Sequence, residues 1–276
     1  MQIKYCCTYW GCENDKPDVF VEKVLSAGYE GIELFIPATS GEFAVLLMKE
    51  LNDIQRNNPD FIFIAQQLSS PDNYSVAEYI SRMEKSLTEL AMLQPSFINS
   101  HTGKDYYSFD DNCRVIEAAL TISHKTGVRI LHETHRGRFS FHAASLIPYL
   151  RKFPELELVG DFSHFCTVSE SMLQDQTEII AQIIPYVSHL HARVGQEQAP
   201  QVNDPFAPEW NNHLDLFKGW WQQIIEYKKE IGCKHFTITP EFGPAPYMPA
   251  MPFTKQPLGN QWEINDKMMH YLKAKL

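Results

Sequence analysis

The sequence predicts a single (β/α)8 (TIM) barrel, and three observations predict it. Short runs of β-branched, aliphatic and aromatic residues recur eight times along the 276-residue chain. Segments with apolar residues at helical spacing lie between them, and turn residues separate the two kinds. Strict alternation of strand and helix over this length implies a parallel sheet, and eight repeats close it into a barrel. The length is close to the roughly 250 residues typical of this architecture, so residues 1–276 are read as one domain.

The first strand is expected at residues 3–9. The first helix carries Val19, Val21, Val24 and Leu25, starts at Pro17 or Asp18 and closes at Gly28. A second strand at 31–36 leads to a helix with Phe43, Leu46, Leu47 and Leu51 on one side. The third strand, 61–65, begins Phe61-Ile62-Phe63-Ile64 and is apolar on both faces, as suits a strand with helices outside and packed side chains inside. Ser75 caps a third helix bearing Ile80, Met83, Leu87, Leu90 and Leu93. Strand four, 96–100, precedes a helix with Val115, Ala118, Ala119 and Ile122 that ends at Gly127. The remaining pairs are strand 128–132 with helix 143–152, strand 156–160 with helix 174–184, strand 187–191 with helix 214–231 closing at Gly232, and strand 236–239 with helix 262–272. The Pro-rich stretch 240–257 reads as a structured loop whose Phe242, Tyr247 and Phe253 wall a pocket or pack against the barrel.

Composition narrows the function classes. The 44% hydrophobic content supports a large core, yet no apolar stretch approaches the roughly 20 residues that span a bilayer. The N-terminus enters the first strand with no basic region or cleavage signal, so the expected location is cytoplasmic. A net charge of −10 with no Lys/Arg cluster argues against a nucleic-acid partner. Of six cysteines, Cys6 and Cys7 point to opposite faces of one strand, and Cys12, Cys113, Cys166 and Cys233 show no zinc-type spacing. Reduced, structural thiols are expected, with Cys166 alone near the candidate site. A homo-oligomer is compatible with all of this.

The chemistry concentrates in the second half. Ile130-Leu131-His132-Glu133, Leu158-Val159-Gly160-Asp161, Val187-Ser188-His189-Leu190-His191 and Thr237-Ile238-Thr239-Pro240-Glu241 each end an apolar run with a metal-binding side chain. One such residue after a strand is ordinarily a cap or turn former. Four at the same offset point to one site, because the C-terminal strand ends of a parallel barrel converge on one face. Three carboxylates and an imidazole form a hard donor set that suits one divalent ion, Mn²⁺, Mg²⁺ or Co²⁺, and accepts Zn²⁺. His101, ending the fourth strand in Asn99-Ser100-His101, is read as a contact to a substrate hydroxyl or a second metal, or as a hydrogen-bonded rim residue. Glu33 is read as a substrate contact or the partner of a cation in the barrel mouth, and Arg136 and Arg138 as a phosphate or carboxylate site or solvated loop charge. His135, His189 and His213 receive no role, and Trp210, Trp220 and Trp221 are expected to pack near the helix at 214–231.

These residues carry a resemblance. Ala27-Gly28-Tyr29-Glu30-Gly31-Ile32-Glu33, Asp161-x-x-His164, His189-x-His191 and Pro240-Glu241-Phe242-Gly243 make the chain similar to the xylose isomerase-like TIM barrels. That superfamily contains sugar and sugar-phosphate isomerases, ketose 3-epimerases, hydroxypyruvate isomerases, inosose dehydratases and the endonuclease IV group. The resemblance implies that Glu133, Asp161, His191 and Glu241 hold one divalent metal and that His164 lies over the substrate. It also implies that Glu133 and Glu241 double as bases on the two sides of a flat enediolate. Many relatives read His-x-Lys-Asp on strand seven; here His191-Ala192-Arg193-Val194 offers Arg193 as the substrate-binding cation and lacks the acid. True xylose isomerases follow their strand-five glutamate with Pro-Lys, whereas this chain has Glu133-Thr134-His135, which disfavours a hydride-shift isomerase. The third strand ends Ala65-Gln66-Gln67 without the histidine that the endonuclease group needs.

The function expected is therefore a metal-dependent isomerase or epimerase of a small sugar or polyol, working by proton transfer through an enediolate. The alternatives are a metal-dependent dehydratase of an inosose-like or dehydroshikimate-like substrate and a barrel that binds carbohydrate without turnover.

Overall fold

The computed structural model describes residues 1–36, 39–68 and 73–276. Eight parallel strands pair in chain order and close, β8 against β1, into a barrel. They are β1 (Gln2–Thr8), β2 (Gly31–Phe35), β3 (Ile62–Gln67), β4 (Phe97–Ser100), β5 (Ile130–Glu133), β6 (Leu158–Gly160), β7 (Val187–His191) and β8 (His235–Thr239). Around them lie α1 (Pro17–Ser26), α2 (Glu42–Asn57), α3 (Val76–Ala91), α4 (Phe109–Thr126), α5 (Ala143–Lys152), α6 (Phe162–Ser169), α7 (Thr177–Ile183), α8 (Asn211–Glu230) and α9 (Gln261–Lys275). Among the described residues no helix is long and apolar enough to cross a membrane.

Two apolar layers follow from the period-two alternation of the strands. Inside the barrel, Cys6, Ile64, Phe97, Leu131 and Val159 form a small buried cluster. Their strand neighbours face outward and join the helices in the larger core, where Cys7, Phe63, Ile98 and Leu158 meet Leu47, Leu87, Ile116, Leu146, Phe217 and Met268. Cys6 and Cys7 thus do divide between the two layers, and all six cysteines are free.

Several ends match their local chemistry. Pro17 occupies the first turn of α1, where its missing N–H costs nothing. Ser75 and Glu78 form a reciprocal capping box at α3, and Gly127 ends α4 at φ 72°. The strand expected at 128–132 starts instead at Ile130 and reaches Glu133, which pairs with Val159. The eight-residue α6 is a further correction: it begins directly after Asp161, whose carboxylate caps it by accepting from the Ser163 N–H. Trp220 and Trp221 are buried on α8, and Trp210 lies in the 3-10 turn before it, as packing residues.

Candidate metal centre and its cavity

The alternation that fills the barrel with apolar side chains also builds the site. Two residues beyond Leu131 and Val159 on the same inward face stand Glu133 and Asp161; two beyond His189 and Thr239 stand His191 and Glu241. One ligand atom from each of these four buried residues lies within 4.8 Å of the others. His191 Nδ1 is 2.9 Å from Glu241 Oε2 and 3.7 Å from Glu133 Oε1.

Each carboxylate is held differently. Glu133 Oε2 accepts from Asn99 Nδ2 at 2.9 Å and pairs with His101 Nε2 at 3.1 Å. Asp161 Oδ1 accepts from the Ser163 N–H and hydroxyl, at 3.0 and 2.5 Å, and Oδ2 accepts from Arg193 Nη2. Arg193 Nη1 lies 3.6 Å from Glu241 Oε2.

Burial pushes the Glu133 carboxyl up, but the charges and hydrogen bonds of His101 and His191 outweigh it and hold it well below the usual range. For Asp161 and Glu241 burial prevails and raises both, against the pull of Arg193 and His191. Burial alone would lower His191; Glu241, Glu33 and Glu133 raise it well above an ordinary imidazole. Three buried carboxylates thus face one imidazole at the point where a divalent cation would serve. The donor set fits one such ion.

Glu133 and Glu241 of the quartet line a cavity of about 560 Å³ with both polar and apolar residues in its wall. Glu13, Gln66, His101, Glu133, His135, Arg193 and Glu241 supply its polar lining, and Tyr9, Trp10, Phe35, Phe43 and Leu68 its apolar lining. Tyr247 also lines it, its ring 4.9 Å from that of Trp10. Phe242 is buried in the core and Phe253 is fully exposed, so only Tyr247 of the three loop aromatics walls the pocket.

His101 and Arg193, both expected to meet substrate, border this cavity. His164 does not. Asp161 caps α6 and His164 falls in its first turn, so the imidazole sits buried beside Arg193, its Nε2 accepting from Nη2 at 2.9 Å. His135 packs against it, ring centroids 3.9 Å apart and planes tilted by 48°. His135 is a cavity residue the sequence reading left without a role; its position two residues past Glu133 on a βα loop was the available signal. Trp10, two residues past β1, was missed in the same way.

Glu33 does not line the cavity, and its ion-pair partners are the histidines beneath the barrel mouth. It is fully buried and receives His189, His191, Thr239, Gln66 and Asn99. Burial raises its carboxyl, yet the two histidines hold it well below the usual range. Arg138 donates to His101 Nδ1 at 3.3 Å, and Arg136 lies over the Tyr247 ring at 5.1 Å. Cys166 is buried on α6 and its thiol is pushed up by burial, then by Asp161. His213 stands apart, 3.4 Å from Glu197.

No protein-family model matches the chain, and no curated protein does. Solved structures do match. The crystal structure of D-psicose 3-epimerase with D-tagatose from Clostridium cellulolyticum H10 is 15% identical, covers 99% of each chain and superposes with a TM-score of 0.62. A xylose isomerase-like TIM barrel protein from Mycobacterium smegmatis in complex with magnesium is 11% identical over 99% of this chain and 97% of its own, TM-score 0.62. The (β/α)8 fold of this chain is shared with both structures. A third structure with it, the probable 3-DHS dehydratase AsbF from Bacillus anthracis, described as involved in petrobactin synthesis, is 16% identical over 98% of both chains, TM-score 0.61. At these identities the likeness is one of fold.

Proposed function

We propose that this protein is a metal-dependent isomerase or epimerase of a sugar or polyol that works by proton transfer through an enediolate. The observation that carries the reading is the meeting of Glu133, Asp161, His191 and Glu241 at one point beside the cavity. These four would hold one divalent ion, Mn²⁺, Mg²⁺, Co²⁺ or Zn²⁺. A bound cation supplies Lewis-acid stabilisation of negative charge on adjacent substrate oxygens.

The carboxylates divide the remaining work. Both oxygens of Asp161 already accept hydrogen bonds, from Ser163 and from Arg193, which suits a fixed ligand and not a base. Glu133 and Glu241 both border the cavity. One takes the proton from the carbon beside a ketone. If the other returns it on the opposite face the centre inverts; if it returns to the neighbouring carbon, and the hydroxyl proton passes from one substrate oxygen to the other, the carbonyl moves. His101 and Arg193 meet substrate hydroxyls from the polar wall, and His164 acts through Arg193 from behind it.

The test is a screen of ketoses, their phosphates, inososes and hydroxypyruvate in deuterated solvent with Mn²⁺, reading exchange at carbon. Glu133→Gln and Glu241→Gln should each lose about 10²–10⁴-fold in exchange, because an amide oxygen still coordinates weakly but accepts no proton. Exchange at near wild-type rate in both variants would refute the enediolate reading. Loss of water from the substrate would establish the dehydratase instead, and binding without exchange a non-catalytic barrel.

A further inference from the structure

Glu33, in the middle of β2, takes no part in the reaction just described, yet it is the most heavily bonded side chain near it. Its Oε1 accepts from Gln66 Nε2 at 3.2 Å, Asn99 Nδ2 at 3.0 Å and His191 Nε2 at 3.0 Å. Its Oε2 accepts from Thr239 Oγ1 at 2.6 Å and His189 Nε2 at 3.1 Å. A carboxylate offers about four lone-pair sites, so five donors saturate this one. Glu33, His189 and His191 are close enough together to suggest a second cation site, but the atoms that would ligate are already paired with one another. Substrate is likewise shut out, since Glu33 has no surface.

Two of these donors belong to groups that also touch the metal quartet. His191 turns Nε2 toward Glu33 and Nδ1 toward Glu241 and Glu133. A neutral imidazole has one ring proton, and an acceptor at Nε2 decides where it goes. The Asn99 amide nitrogen has two hydrogens, and it stands 3.0 Å from Glu33 Oε1 and 2.9 Å from Glu133 Oε2.

We propose that Glu33 is a positioning residue for the metal centre. It keeps the proton of His191 on Nε2, so that Nδ1 offers a lone pair to the cation, and through Asn99 it sets how Glu133 faces the same point. The inference rests on the proposed reading of the quartet as a metal site. Its physical basis is general: the ring nitrogen that does not ligate is held by a carboxylate or carbonyl, and loss of that partner typically lowers metal affinity about 10–100-fold.

The experiment measures Mn²⁺ affinity by calorimetry, together with the unfolding midpoint of each metal-free protein. Glu33→Gln removes the charge and replaces one of the two accepting oxygens with an N–H donor; it should bind Mn²⁺ about 10–100-fold more weakly. Glu33→Asp keeps the charge and should recover part of the loss, which also covers failure of the Gln variant to fold. Thr239→Val removes a donor to Glu33 without touching the link to His191. It should lower the unfolding midpoint and leave Mn²⁺ affinity near that of the wild type. In the zinc-loaded wild type, ring ¹⁵N shifts should show the His191 proton on Nε2. Affinity in Glu33→Gln equal to the wild type, equal weakening by Thr239→Val, or a proton on Nδ1 overturns the role of Glu33. If the wild type takes up no divalent metal, the metal-centre reading itself fails.

Discussion

Asp161→Asn tests how the site is held together before any metal enters. In the native protein Asp161 is fully buried and Arg193 is 2% exposed, and their side chains are paired. Arginine cannot shed its charge in a protein, so the substitution leaves a buried guanidinium whose cost deprotonation cannot relieve. Removing one partner of a buried ion pair costs about 3–5 kcal/mol. Two features put this case at the lower end. The asparagine oxygen, held on the Ser163 side, keeps the capping bonds although it no longer accepts from Arg193, and Glu241 remains 3.6 Å from Arg193 Nη1 as a second source of negative charge. The helix cap survives, because asparagine caps as well as aspartate. A loss of about 3 kcal/mol is expected, equivalent to a fall in unfolding midpoint of roughly 6–12 °C at about 2–4 °C per kcal/mol. Denaturant unfolding of both proteins in chelator measures it. A difference below about 1 kcal/mol would mean that Arg193 does not depend on Asp161, and the account of how this buried cluster is balanced would be wrong.

Two further substitutions separate chemistry from packing. His164→Ala removes one of the two acceptors for Arg193 Nη2, an imidazole 3.7 Å from Asp161 Oδ2, and leaves all four quartet side chains in place; metal content should stay at the wild-type value while turnover of any substrate found in the screen falls, and loss of metal would make His164 a ligand. Gly31→Ala should destabilise by about 1–3 kcal/mol through overpacking, because a Cβ there would lie 2.5 Å from Ile62 Cβ, 2.7 Å from the Ile62 carbonyl oxygen and 2.8 Å from Cys6 Sγ; unchanged stability in denaturant titration would show that β2 and β3 can move apart.

Local periodicity made the barrel legible. Strands apolar on both faces, helical segments between them and turn residues at their ends are short-range signals, and closure follows from their order. The gathering of Glu133, Asp161, His191 and Glu241 was legible for a related reason: inward positions recur every second residue, and parallel strands deliver their ends to one face. Helix α6 was not, because eight residues span little more than two turns and leave too short a periodic pattern to stand out in the sequence. Only the tertiary structure separated His189 from His191. Both point inward, but the first lies one layer deeper between Glu33 and Thr237, and the second reaches the quartet. The same holds for Glu33, whose partner His191 is 158 residues away, for Arg193 against Asp161, and for His164 behind His135. Strand pattern sets which face a side chain takes; its height in the barrel and its neighbour across the axis depend on how strands distant in sequence are staggered when the sheet closes.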